Sequence, residues 1–205
     1  MRNTMTSTAS KVLAGVTTLL LSALPLSAQE GAMDLPDAVA HAEIGVVESI
    51  DFVSNTIRTA YPMSSGEEAV RTFKAGQTTL VEGRGGIHQF SELTSRAFGH
   101  VAVVEFVRDE DGGAFARRIQ FPSTRTIRMT QGTIKSVDEA NHQLTLATAA
   151  GTEELNVDMG YGATIDSKEG LLELDALQSG QRITVYFTDA QRDMDDTAYL
   201  IYKND

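Results

Sequence analysis

The pattern of apolar and polar residues along this chain predicts β-strands joined by short loops. The clearest case is 181–188, where Ile183, Val185 and Phe187 alternate with Arg, Thr and Tyr side chains. Alternation with a period of two places one set of side chains on each face of a strand, and the apolar set then faces a core. The same pattern predicts strands in the C-terminal half at 132–137, 143–149, 152–157, 181–188 and 197–202. We therefore expect an all-β protein.

The first strand of this half departs from the alternation. Its apolar residues, Ile134 and Val137, are three positions apart, so a regular strand cannot bury both on one face. A β-bulge between them restores the inward direction and bends the strand. Gly132 opens the strand just before that point. A bent first strand that pairs with two neighbours is typical of a small five-stranded barrel.

This unusual strand occurs twice in the chain. Gly45-Val-Val-Glu-Ser-Ile-Asp in the first half matches Gly132-Thr-Ile-Lys-Ser-Val-Asp in the second, and a similar strand follows each at the same spacing. Gly99 and Gly180 then precede matching later strands. An internal repeat of this length indicates two copies of one β module. We predict a flexible leader at 29–37, a first OB-like barrel at 38–122 and a second OB-like barrel at 123–205.

The first copy is longer than the second, and we place the extra residues at 62–76. Within them, 67–74 (Glu-Glu-Ala-Val-Arg-Thr-Phe-Lys) is predicted as a short helix, with Ser64 or Ser65 as its N-cap. The predicted fold is therefore two tandem small five-stranded OB-like barrels, with a short helical insertion in the first.

The order of these motifs resembles a widespread class of exported bacterial β-barrel domains of the OB type, whose function is mostly unassigned. In the second copy, the leucines, the glycine and the following strand of that class match Leu174, Leu177, Gly180, Gln181, Ile183 and Val185. In the first copy, Arg96 stands where the class has its second leucine. The general fold is also similar to that of small periplasmic copper-binding proteins, whose site combines His, Met and Trp. This chain has no Trp, so that site is not carried over.

Residues 1–28 are predicted to be a signal peptide. Basic residues precede an apolar stretch at 12–26, and Ala28 offers a small residue for cleavage before Gln29. The alternative is a membrane anchor, but the stretch is shorter than the ~20 apolar residues of a spanning helix, and Pro25 interrupts its end. We therefore expect a periplasmic protein with no membrane span after cleavage. The absence of Cys is compatible with that compartment.

Two kinds of residue are candidates for a metal site. Carboxylates in the loop before the last strand of each copy suit Ca²⁺, whereas His and Met suit copper. Asp and Gly are also typical of hairpin turns, and the His and Met residues lack ligand spacing. We therefore predict no metal site and no cofactor, and we keep metal binding as an alternative function. The candidates are Asp109, Asp111, Asp189, Asp193, Asp195, His88, His100 and Met63.

The charge of the chain limits the partners that we expect. Its formal net charge is −11 at pH 7, and 6% of its residues are aromatic. An OB barrel that binds single-stranded nucleic acid needs a positive groove with exposed aromatic side chains. We therefore expect no nucleic-acid partner. The expected partner is another periplasmic or envelope protein, and the oligomeric state is not assigned.

The chain carries no nucleophile elbow, metalloprotease motif or phosphate-binding loop, so we predict that it is not an enzyme. An enzyme of unrecognised type is the less favoured alternative. The predicted function is a non-catalytic periplasmic binding or scaffolding module of two OB-like domains, with no assigned ligand. By analogy with the fold, its binding surface is expected on strands two and three and the adjoining loops. These are 57–61, 77–82, 109–113, 143–148, 153–157 and 189–196.

Overall fold

The computed structural model describes residues 38–62, 68–83, 86–93, 97–109, 111–122, 126–149, 151–157, 162–188 and 197–204. These residues form β-strands and short 3₁₀ turns, so the all-β prediction is confirmed. The strands of the first half are β1 (Ala40–Asp51), β2 (Thr56–Pro62), β3 (Glu68–Gly83), β4 (Gly86–Gln89), β5 (Val101–Arg108) and β6 (Ala114–Gln120). Those of the second half are β7 (Arg128–Asp138), β8 (Gln143–Thr148), β9 (Gly151–Val157), β10 (Thr164–Ser167), β11 (Gly170–Leu172), β12 (Arg182–Thr188) and β13 (Thr197–Asn204).

Each half closes into a five-stranded barrel. The first sheet has the order β2-β1-β5-β6-β3-β4, and β2 also pairs with β3, which completes a ring of β1, β2, β3, β6 and β5. The second sheet has the order β11-β10-β13-β12-β7-β8-β9, and β13 also pairs with β9. The pairs β3–β6 and β9–β13 are parallel, whereas the other pairs of each ring are antiparallel. The prediction of tandem OB-like barrels is therefore confirmed.

The predicted bulge is present in both copies. The pairing of β1 with β2 shifts register just after Val47, and the pairing of β7 with β8 shifts just after Ile134. Both residues are buried. Their backbone amides donate to the carbonyls of His100 and Gln181, respectively, each at 2.9 Å. The bulge thus lets one bent strand pair on both sides and close the barrel.

The helix predicted at 67–74 is wrong. Glu68–Gly83 is one 16-residue strand, and its first part pairs with β2. Its side chains alternate, with Phe73 and Ala75 buried in the core and Val70 exposed. Eight residues are too few to form a stable isolated helix, whereas β2 offers backbone hydrogen bonds along this segment. The extra length of the first copy therefore belongs to the β2–β3 hairpin.

Three clusters of buried apolar side chains stabilise the fold. One fills each barrel, and the third lies where the barrels meet. The third cluster takes side chains from the outer faces of β1, β5 and β13, which are Ala42, Ile44, Val101, Val103, Tyr199 and Leu200. Because these outer faces bury each other, the two barrels belong to one compact unit.

One buried carboxylate adds a polar link between the barrels. Asp166 of β10 is only 2% exposed. Its Oδ2 accepts a hydrogen bond from the amide of Ala42 (3.1 Å), and its Oδ1 accepts one from the amide of Ser167 (2.9 Å). Oδ1 also lies 3.2 Å from Nδ1 of His41. The second barrel therefore holds the first strand of the first barrel by hydrogen bonds as well as by apolar contact.

No helix among the described residues has the length and apolar character needed to cross a membrane.

Candidate functional site

A cleft of about 550 Å³ lies where the two barrels meet. One wall is formed by residues at an open end of the first barrel, and the other is the outer face of the second barrel. Its volume lies within the range of roughly 300–1,000 Å³ that is typical of small-molecule sites. Because each wall comes from a different copy of the repeat, neither barrel alone contains this cleft.

Strand alternation places the functional side chains of the first wall. β1 buries alternate residues against the second barrel, so His41 and Glu43 face the end of their own barrel. On β5, Phe106 belongs to the barrel core, and Arg108, two residues later, reaches the same end. The guanidinium carbon of Arg108 lies 5.6 Å from the centroid of the Phe106 ring. The wall is therefore polar and charged above an aromatic floor.

Glu43 is the most unusual residue of this wall. Arg71 donates a hydrogen bond to its Oε1, whereas its Oε2 is buried and has no hydrogen-bond partner in the described part of the chain. Burial raises the pKa of Glu43; the charges of Arg71 and Arg108 act in the opposite direction, and that of Asp166 raises it further. A buried acceptor without a donor is costly, so Glu43 is a candidate functional residue.

The second wall is rich in tyrosine. It lies on the outer faces of β7, β12 and β13 and presents Met129, Gln131, Thr184, Tyr186 and Tyr202. Burial raises the pKa of Tyr186, and the charges of Tyr61 and Glu43 add to this effect. The Tyr186 hydroxyl is therefore neutral at physiological pH and is able to donate or accept a hydrogen bond. The rings supply flat apolar surface with a polar edge.

Charged side chains of both signs line the cleft, although the chain as a whole is acidic. Among the described residues that line it, two are basic, Arg108 and Lys168, and two are acidic, Glu43 and Asp166, while Arg71 lies beside the cleft and pairs with Glu43. Of the described carboxylates, none lies within 4.0 Å of the Arg108 guanidinium. The net charge of the chain is −11. The described lining is therefore less acidic than the chain as a whole, and Arg108 is placed to attract an anion.

Matching positions of the two copies distinguish residues that both barrels share from residues that occur only at the cleft. Phe106 of the first copy matches Phe187 of the second, and both are buried in a barrel core. Glu43, by contrast, matches Thr130. The barrel therefore closes without a carboxylate at this position, so folding alone does not explain Glu43.

The structure does not place the described metal candidates in the cleft. Asp109 accepts a hydrogen bond from a backbone amide of its own turn, and Asp111 is exposed in that turn. Nδ1 of His88 lies 3.2 Å from an oxygen of Glu92 on the surface, and His100 is half-buried before β5. Asp189, Asp193, Asp195 and Met63 lie outside the described residues. Across the described ranges, no group of three or more His, Asp or Glu side chains is arranged to hold a metal ion.

Of the described residues on the predicted binding surface, only Tyr61 lines the cleft. The sequence did not reveal the other residues of the cleft, because strand alternation shows which side chains point away from a core but not which outer faces contact each other. One signal was present: His41 and Glu43 occupy inward positions of a strand that is otherwise apolar on that face. Polar residues at such positions indicate an open barrel end or a site.

Comparison with known proteins identifies no family. No family model matches the chain, and no curated protein matches it. Among solved structures, Unr CSD456 of Drosophila is similar at 16% sequence identity, with a TM-score of 0.29. The match covers 80% of this chain and 61% of that one, so this chain spans less than two thirds of that structure.

This comparison contradicts the expected absence of a nucleic-acid partner. The neighbour is a cold-shock-domain protein, so the prediction of no nucleic-acid partner is withdrawn. Net charge is a property of the whole surface, whereas binding depends on the charge of one groove. At this distance the likeness assigns no ligand to the chain.

Proposed function

We propose that this chain is a non-catalytic binding protein whose ligand site is the cleft between its two OB-like barrels. The observation that carries the proposal is the buried Oε2 of Glu43, an acceptor without a described donor beside a wall of tyrosines. The matching residue Thr130 supports a role in function rather than in barrel closure. A bound molecule with a donor group would satisfy this acceptor.

Binding rather than catalysis is supported by the arrangement of the polar groups. His41 is oriented by Asp166, as a catalytic base often is, but such a pair also needs a nucleophile within about 3 Å of the ring. The Thr184 hydroxyl of the cleft instead accepts a hydrogen bond from Nδ2 of Asn204 at 2.9 Å. We therefore assign the His41–Asp166 pair to the contact between the barrels.

The proposal also places the protein in the periplasm. Support comes from the basic and apolar pattern of residues 1–28 and from the lack of Cys. A binding protein in that compartment meets small molecules before they reach the cytoplasm.

Thermal unfolding with a small-molecule library tests the binding site. Gln131 is exposed on the second wall, so Gln131→Trp fills the cleft without entering a core. Gln143 is exposed on β8 outside the cleft, so Gln143→Trp is the matched control. Cleft ligands should raise the melting midpoint of the wild type and the control but not of Gln131→Trp. Compounds that stabilise all three proteins equally, or a library without any stabilising compound, would contradict the proposal.

A further inference from the structure

We infer that the cleft binds a small aromatic carboxylate that also carries a hydroxyl group. Its carboxylate would contact Arg108, its ring would pack on Tyr186 and Tyr202, and its hydroxyl would donate to Glu43. This inference rests on the proposed binding function and adds the chemistry of the ligand.

The carboxylate of the ligand is inferred from which arginines in or beside the cleft already have an acidic partner. Arg71 is held by Glu43, so its charge is largely compensated. Arg108 has no described carboxylate within ion-pair distance, and its guanidinium lies over the Phe106 ring. A guanidinium over an aromatic ring keeps the N–H groups at its edge available. There it binds a carboxylate through two parallel hydrogen bonds.

The aromatic ring is indicated by the second wall. Tyr202 pairs across the sheet with Thr184, and Tyr186 lies two residues further along the same face. Both tyrosines are half-buried. Tyr61 and Phe106 line the cleft from the first barrel, so aromatic side chains come from both walls. Aromatic rings pack best on other rings, in offset or edge-to-face contact.

The hydroxyl is indicated by Glu43. Its side chain is 23% exposed and lines the cleft, and its buried Oε2 has no described donor. A phenolic hydroxyl is a strong donor to a carboxylate, and a bond of this kind discriminates against analogues that lack the group. The acidic and basic residues therefore select opposite ends of one molecule.

Isothermal titration calorimetry on the purified protein, with 4-hydroxyphenylacetate as the probe, tests this chemistry. Phenylacetate lacks the hydroxyl, and tyramine replaces the carboxylate with an ammonium group. We expect 4-hydroxyphenylacetate to bind at least about tenfold more tightly than either analogue. Arg108→Gln should weaken its binding by at least about tenfold, whereas Arg117→Gln, at an exposed residue of β6 outside the cleft, should leave it unchanged.

The outcomes separate this inference from the proposed function. Tyramine binding as tightly as 4-hydroxyphenylacetate, and lost in Gln131→Trp, would overturn the ligand chemistry but keep the cleft as the site. Equal affinity of wild type and Arg108→Gln for 4-hydroxyphenylacetate would also overturn it. If none of the three compounds binds while library compounds stabilise the protein in a Gln131-dependent manner, the ligand class is wrong and the binding function stands. If no compound of any kind binds in a Gln131-dependent manner, both the proposed ligand chemistry and the proposed binding function are wrong.

Discussion

At the scale of the residue, Glu43 combines a cost to stability with the ligand contact that we propose for it. Arg71 binds one of its oxygens, and burial holds the pKa of Glu43 above its ordinary value of 4.5. The ionised form therefore costs more in the folded chain than in the unfolded one. For a raised carboxyl pKa, the stability that the group contributes is fully present below its ordinary pKa and is lost as pH rises through the raised value.

Glu43→Gln removes this titration. As pH falls from about 7 towards 4.5, the free energy of unfolding of the wild type should rise relative to that of Glu43→Gln, because only the wild type takes up the proton. Urea unfolding at a series of pH values measures the difference. Glu169→Gln, at an exposed turn residue, is the control and should show no such gain. A wild-type advantage that is constant over this pH range would show that the Glu43 carboxyl is not desolvated.

At the scale of the element, the first strand of each barrel approaches its neighbour more closely than a side chain permits. A Cβ at Gly45 would lie 2.7 Å from the carbonyl oxygen of Ala60, and one at Gly132 would lie 2.9 Å from that of Ala147. The two glycines are at matching positions of the repeat, just before the bulge. Close strand approach, rather than an unusual backbone angle, therefore requires glycine here.

Gly45→Ala should destabilise the protein by about 1–3 kcal/mol, because β1 and β2 must separate to admit the methyl group. Gly76→Ala in β3 is the control, since the nearest atom to its Cβ would be on the Phe115 ring at 3.9 Å. Its effect should stay within about 0.5 kcal/mol. Guanidinium unfolding measures both variants. Equal stability of the two would mean that the close approach does not constrain the first strand.

At the scale of the whole molecule, the contact between the barrels is both apolar and polar. Ala42 and Leu200 contribute to the apolar cluster, while Asp166 accepts hydrogen bonds from backbone amides of both barrels. The backbone donors around position 166 require a buried carboxylate, since most substitutions would leave an amide without an acceptor. The walls of the cleft are thereby held at one separation.

Asp166→Asn should lower the free energy of unfolding by about 1–3 kcal/mol, because the amide group turns one donor towards another donor. We also expect the ratio of calorimetric to van't Hoff enthalpy to rise above that of the wild type, as the barrels begin to unfold separately. Asp175→Asn, at an exposed residue of a 3₁₀ turn, is the control. A melting midpoint equal to that of the wild type would contradict this role of Asp166.

The proposed export also belongs to this scale. When the full chain is expressed in a bacterium, N-terminal sequencing of the purified protein should give Gln29 as the first residue, because the small residue Ala28 permits cleavage after it. Ala28→Leu should leave the precursor uncut. Recovery of a wild-type chain that still begins at Met1 would speak against a signal peptide.

The strands, the duplication and the bulge were determined by the sequence itself. Alternation in 181–188, the three-residue spacing of Ile134 and Val137, and the recurrence of Gly45 as Gly132 are local features, so each is legible without a structure. Each depends on contacts between residues of one strand or one hairpin. The hydrogen bonds and burial of the described residues confirm them.

Only the tertiary structure decided what the segment from Glu68 to Gly83 becomes and where the candidate site lies. The segment is a strand because β2 and the barrel core hold it, and this overrides its short helical pattern. The cleft depends on which outer faces meet, and on contacts such as that of His41 with Asp166, 125 residues away. A local pattern shows that a face is available for contact. Its partner is set by the packing free energy of the whole chain, to which distant residues contribute.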